Sequence, residues 1–168
     1  MQSEKIIIVN ENDEEIGFKN RDRIKRNDIY RVSALWIENS QEKVLMAQRS
    51  FKKKNSPGKW GPAVAGTIKK GEDHDSNIYQ EAEDEIGLKD QIFDKAHKTK
   101  TIGSHKFFCQ WYYLKIDKDI DYFKIQEEEV EAIKWIKKTD LEKELKSNPD
   151  KFLVSMAATL RKFKKFEK

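Results

Sequence analysis

The chain has 168 residues, 37% of them apolar and 11% aromatic, enough to fill the core of one domain of ordinary size. Charged residues make up 38% but are mixed in sign, with a net charge of +4, so composition argues against a dedicated nucleic-acid binder. The single cysteine, Cys109, excludes an internal disulfide and sits in the apolar run FFCQWYY, where a small buried hydrophobe is expected rather than a reactive thiol. No apolar stretch approaches the roughly 20 residues that span a bilayer, and the start, MQSEKIIIV, lacks a signal-peptide layout. A cytoplasmic protein with no membrane or nucleic-acid partner is the expectation.

Residues 5–9 (KIIIV) read as a strand, NEND as a turn, and 14–18 as a returning strand. The basic stretch 20–28 reads as a loop or short helix. Residues 30–38 and 43–50 form a predicted hairpin around the turn NSQE. Residues 51–60 are a loop punctuated by Pro57 and Gly58, and 62–66 a short buried strand. A helix is expected over 74–86, capped by Asp73 and stopped by Gly87. Strands follow near 91–101, 105–117 and 130–137, then a helix capped by Thr139 or Asp140. Phe152, Met156, Leu160 and Phe163 at helical spacing predict a C-terminal helix over about 150–166. The sum is an α/β (α+β) domain covering 1–168: a mixed sheet, one central helix, and helices at the C-terminus.

The central helix is the unusual element. On a wheel, Ile78, Tyr79, Ala82 and Ile86 share the packing face, Glu85 lies at its edge, Glu81 beside it, and Asp84 further round. Glu81 and Glu85 are a like-charge i,i+4 pair, which costs about 0.2–0.5 kcal/mol in an exposed helix, and a part-buried Glu85 costs more unless a cation pairs with it. Two readings stand on the wheel alone: a solvated acidic face, or carboxylates gathered for a hard divalent cation such as Mg2+.

The stretch GTIKKGEDHDSNIYQEAEDEIGL, residues 66–88, resembles the Nudix box: Gly, five residues, Glu, seven residues, then Arg-Glu-apolar-x-Glu-Glu-x-Gly-apolar. Gly66, Glu72, Glu81, Glu85 and Gly87 match. Gln80 stands for the Arg, and Asp84 for the first Glu of the pair. The resemblance implies a Nudix fold, a mixed sheet sandwiched between helices, with Glu81, Glu85, Asp84 and the Gly66 carbonyl as metal ligands. It also implies that Glu72 braces the loop and that Gln80 takes the orienting place of the Arg. The flanks (QRSFKKKNSPGKW, VNENDEEIGFKNRDRIKR and EEEVEAIKW) resemble the Nudix subgroup laid out like isopentenyl diphosphate isomerase. There Arg49 and Lys53 correspond to diphosphate contacts, and Glu127 and Glu129 to acidic residues near the metal. Glu129, with Glu131 as competitor, is the expected base for water. The isomerase's own Cys and His positions are occupied by Ala65, Thr67, Arg23 and Tyr30, so that reaction is disfavoured.

The implied activity is Mg2+- or Mn2+-dependent hydrolysis of the diphosphate linkage in a nucleoside diphosphate linked to a moiety X, with Glu81, Glu85 and Glu129 catalytic. Gln80 and Asp84 keep open an alternative, a catalytically weakened binding module of the same fold. A homodimer is compatible with the resemblance. His74 is expected exposed and His97 and His105 structural, without assigned roles. Trp60 and Trp135 are expected to pack in the core, and the basic end RKFKKFEK to be a frayed helix terminus.

Overall fold

The computed structural model describes residues 3–166; the last two residues of the basic end lie outside them. β1 (Lys5–Val9) and β2 (Glu15–Asn20) pair as an antiparallel hairpin. β3 (Ile29–Glu38) is the central strand. β8 (Lys106–Lys115) runs parallel to it from Ile29–Lys106 to Glu38–Lys115. β6 (Val64–Thr67) pairs antiparallel with its middle, β1 with its start, and β4 (Lys43–Arg49) with its end. β5 (Trp60–Pro62) and β9 (Val130–Lys137) pair with β4, and β7 (Asp94–Ile102) pairs with β8. The mixed sheet expected from the sequence is present.

Alternation along β3 builds two cores. Leu35 and Ile37 face α1 (His74–Ile86), where Ile78, Ala82 and Ile86 are fully buried. Burying each of those isoleucines contributes about 1.5–3 kcal/mol. Ala34 and Trp36 face the other way, against Leu141 of α2 (Lys138–Ser147) and Met156, Leu160 and Phe163 of α3 (Met156–Lys164). The Trp36 and Phe163 rings stack with centroids 4.8 Å apart and planes 4° apart. Buried Glu38 accepts hydrogen bonds from Trp36 Nε1 (2.9 Å) and the Tyr113 hydroxyl (3.2 Å), and pairs with Lys138 at 2.9 Å. Cys109 is buried on this side, and burial pushes its thiol far up, out of reach of ionisation.

Local signals set α1 at its expected bounds. Asp73 accepts from the Ser76 N–H at 2.7 Å, and Ser76 Oγ accepts from the Asp73 N–H at 3.1 Å, closing a capping box. Gly87, at φ 66°, ends the helix with its N–H on Glu83 O and the Leu88 N–H on Ala82 O.

Several expectations fail. The single strand expected over 62–66 is two, β5 and β6, separated at Ala63 and paired with different neighbours. The C-terminal helix begins at Met156, not near 150, because Pro149–Lys151 forms a 3-10 turn and Phe152 leaves it to bridge Trp60, with Leu153 N–H on Trp60 O at 3.0 Å. The four apolar positions are nonetheless all buried. α2 starts one residue before Thr139, without a side-chain cap. β7 starts at Asp94 rather than 91. Its neighbour Phe93 instead turns inward, donating its N–H to the Tyr79 hydroxyl and stacking on that ring. His74 is half-buried, its Nε2 enclosed and without a hydrogen-bond partner among the described residues, and burial pulls its pKa down.

Candidate active site

The C-terminal half of α1 projects carboxylates toward the end of β6. Glu85 is 9% exposed and lies beside half-buried Glu81. Burial, then the neighbouring Glu81 charge, pushes the Glu85 carboxyl well above the ordinary range; burial raises Glu81 as well. The contrast with Glu38 is informative. Both carboxylates are buried, but Glu38 has donors and an ammonium on its oxygens, whereas Glu85 is set against a second carboxylate.

Gly66 completes this corner. A Cβ there would lie 2.5 Å from Glu81 Cγ and 2.9 Å from both Glu81 Cδ and Asn77 Oδ1. The glycine is required by space, and Glu81 rests on the strand backbone because of it. Hard oxygen donors (two converging carboxylates and an adjacent backbone) fit a divalent cation such as Mg2+ or Mn2+. Asp84 does not join the pair: it is exposed, and its Oδ1 accepts from Gln80 Nε2 at 2.9 Å. Among the described residues, no three Asp, Glu, His or Cys side chains are grouped for one ion.

Glu72 lies below, accepting from the Lys69 N–H and from Asn77 Nδ2, each at 2.9 Å. Asn77 is fully buried and joins three elements: it accepts from the Ser33 hydroxyl on β3, and donates to Glu72 and to Thr67 O at 3.3 Å. Sequence reasoning missed it. The available signal was an amide on the apolar face of α1, one turn before Glu81.

A bulge and a loop bring the remaining residues. The β4–β9 register shifts between Gln48–Ala132 and Arg49–Val130, leaving Glu131 as the extra, exposed residue. Ser50 N–H bonds Glu129 O at 3.0 Å, and Gln126 N–H bonds Glu85 O, the free end of α1, at 2.9 Å. Glu129 is therefore held near Glu85 and Arg49, and its carboxylate pairs with the Lys53 ammonium. Glu127, Glu128 and Glu131 are exposed and outside this group. Burial lowers the Arg49 pKa while the Glu129 and Glu85 charges oppose that shift. Its Nε donates to Asn55 O at 3.0 Å, fixing the side chain across the loop.

Residues 29–156 match the family model described as NUDIX domain. This chain belongs to the Nudix family. Among solved structures, DR0079 from Deinococcus radiodurans superposes with a TM-score of 0.79 at 20% identity, covering 94% of this chain and 98% of that one. The MutT NUDIX hydrolase from Burkholderia pseudomallei gives 0.64 at 16%, covering 80% and 97%. The NUDIX domain of Shewanella oneidensis NrtR, complexed with ADP ribose, gives 0.66 at 13%, covering 88% and 92%. At these identities the likeness is one of fold. No curated protein gives a significant match. In this Nudix chain the box helix is α1, and the two departures from the box, Gln80 and Asp84, bond to each other on its exposed face. No described helix is long and apolar enough to cross a membrane.

Proposed function

We propose that the protein is a Mg2+- or Mn2+-dependent pyrophosphohydrolase that cleaves the diphosphate linkage of a nucleoside diphosphate joined to a moiety X. The observation that carries this reading is the buried Glu85 carboxylate set beside half-buried Glu81, which rests on Gly66, with Arg49 acting on Glu85 from β4. Glu81, Glu85 and the Gly66 carbonyl would hold the cation, with Asp84 joining by rotating away from Gln80. When bound, the ion would neutralise phosphate charge and acidify water.

The chain's own groups supply the rest. The Arg49 fork suits two phosphate oxygens, and Lys53 supplies a point charge. Lys53 and Glu129 neutralise each other in the free protein. A phosphate arriving at Lys53 exchanges one anion for another and releases the Glu129 carboxylate to orient or deprotonate water. Glu72 and Asn77 keep the loop before α1 in place beneath the carboxylate pair.

The test is direct: incubation of the purified protein with Mg2+ or Mn2+ and a panel including ADP-ribose, dinucleoside polyphosphates and isopentenyl diphosphate, with detection of released phosphate compounds. Cleavage of a nucleoside diphosphate derivative is expected; inactivity across the panel together with no metal response refutes the reading. A binding module of the same fold is the second reading, favoured by the outward Asp84 and its bond to Gln80. Thermal shift separates the two, because a module that has lost the site gains no stability from Mg2+ or Mn2+.

A further inference from the structure

We propose that Phe51, on the loop after β4, is the residue that selects X, and that X presents it with a flat heteroaromatic ring. This rests on the diphosphate reading above, because Phe51 lies between the two residues assigned to phosphate.

Residues 50–53 form a turn, with the Lys53 N–H on Ser50 O at 3.1 Å and the Lys52 N–H on Ser50 Oγ at 3.2 Å. Ser50 is buried, and its N–H on Glu129 O ties the turn to the acidic side of the site. Phe51 is thus carried between Arg49 and Lys53 on a fixed frame. It is 66% exposed, the most exposed aromatic side chain among the described residues. Its ring is seated all the same: Cε1 lies close to where a Cβ on Gly58 would stand. Gly58 is itself pinned to β4, its N–H on Arg49 O and its carbonyl accepting from Gln48 Nε2, each at 3.0 Å. The ring therefore rests on clamped backbone while most of the residue stays in water, a surface prepared in advance of any partner. Apart from Pro57, residues 52–59 are lysines, polar residues and a glycine, so the loop has no apolar side chain of its own to cover it.

The position of Arg49 says which end of the substrate this surface serves. Its charge acts on the Tyr30 phenol, and the Tyr30 ring stacks with Phe107 at 5.6 Å between centroids. One aromatic surface, on β3 and β8, is within range of the arginine; a second, Phe51, stands two residues along its own loop. A diphosphate gripped at Arg49 has a surface for each of its ends, the strand pair for the nucleoside and Phe51 for X. The chemistry of Phe51 narrows X. A sugar finds no donor or acceptor on it. A hydrocarbon chain gains by being enclosed, and one exposed ring among lysines encloses nothing. A flat heterocycle needs only a face to stack on and keeps its polar edge in water.

The experiment compares kcat/KM in Mg2+ for ADP-ribose and diadenosine diphosphate, which share a nucleoside, the diphosphate and a second ribose and differ in whether that ribose bears a base. The proteins are the wild type, Phe51→Ala, Phe51→Leu and Phe51→Trp, with thermal unfolding of each. The wild type should favour diadenosine diphosphate about tenfold or more, the scale of one base stack. Phe51→Ala and Phe51→Leu should erase most of that preference while leaving ADP-ribose turnover and Tm unchanged, and Phe51→Trp should keep it. No preference in the wild type overturns the inference and leaves the diphosphate reading intact, as does a preference that survives Phe51→Ala. An equal loss on both compounds also overturns it, because Phe51 would then serve their common part. If neither compound is cleaved or bound, the diphosphate reading falls, and this inference with it.

Discussion

Replacing Gly66 with alanine tests the carboxylate corner at its tightest point. The added methyl would lie 2.5 Å from Glu81 Cγ and 2.9 Å from Glu81 Cδ and Asn77 Oδ1. Glu81 Cγ is one bond from a Cβ fixed on α1, so swinging the distal carboxylate does not relieve the clash. Either χ1 changes and the carboxylate leaves Glu85, or strand and helix separate. Overpacking of this kind costs about 1–3 kcal/mol, and at about 2–4 °C per kcal/mol for a chain of this size the melting temperature should fall by about 2–12 °C. Thermal unfolding with and without Mg2+ reads both consequences: a lower Tm, and loss of most of the metal-induced rise. In a Glu81→Ala background the two nearest carbon contacts are gone, so the same glycine substitution should cost less, with a coupling of about 0.5–3 kcal/mol. A Gly66→Ala protein with wild-type Tm and metal response, or costs that simply add in the double variant, would refute the packing argument.

Glu85→Gln should abolish hydrolysis, and in EDTA near neutral pH it should unfold at a higher temperature than the wild type. The sign follows from the raised Glu85 carboxyl: its stabilising contribution is complete below the ordinary value of 4.5 and is lost as pH rises through the folded value. Urea titrations of the metal-free wild type at several pH values above 4.5 should show that decline, and the glutamine variant should flatten it. Asn77→Ala removes the donor to Glu72 and the acceptor for Ser33, and should cost about 1–3 kcal/mol in urea unfolding; Asn77→Ala at wild-type stability would count against its bridging role. Asp13 behaves in the opposite sense to Glu85: burial works against its ionisation, but hydrogen bonds from Arg31 and Lys98 outweigh it and hold its carboxyl low. Its contribution is present above 3.8 and is lost as pH falls through the folded value, so Asp13→Asn should lower Tm at pH 6 and converge on the wild type in strong acid.

What could be read from the sequence was what neighbours in the chain decide. The bounds of α1 follow from Asp73, Ser76 and Gly87, all within a few residues of the ends they fix. The burial of Phe152, Met156, Leu160 and Phe163 was readable from spacing, but the start of α3 was not, because Trp60, far away in the chain, takes Phe152 into a bridge. At the site, Gly66, Glu81 and Glu85 belong to a local motif, and the structure gathers them. The choice of Glu129 over Glu127 or Glu131 depends on the bulge against Arg49 and the contact with Lys53, both set by strands that local pattern does not relate. Asn77 was hidden for a similar reason: its partners lie on β3, at the end of β6 and in the following loop.

The segment between β8 and β9 that carries Glu129 is tied to the end of α1 through main-chain atoms: Lys124 N–H on Ile86 O and Gln126 N–H on Glu85 O, each at 2.9 Å, then Glu129 N–H on Gln126 O at 3.0 Å. Any residue except proline at 124 or 126 can make these bonds. Composition there is otherwise free to drift, and with it the shape and charge presented beside the carboxylate pair. Length is not free, because one inserted residue between 126 and 129 would carry Glu129 out of step with Glu85 while leaving every side chain of the candidate site in the sequence. The segment is a spacer measured in residues, so its capacity for change lies in substitution rather than insertion.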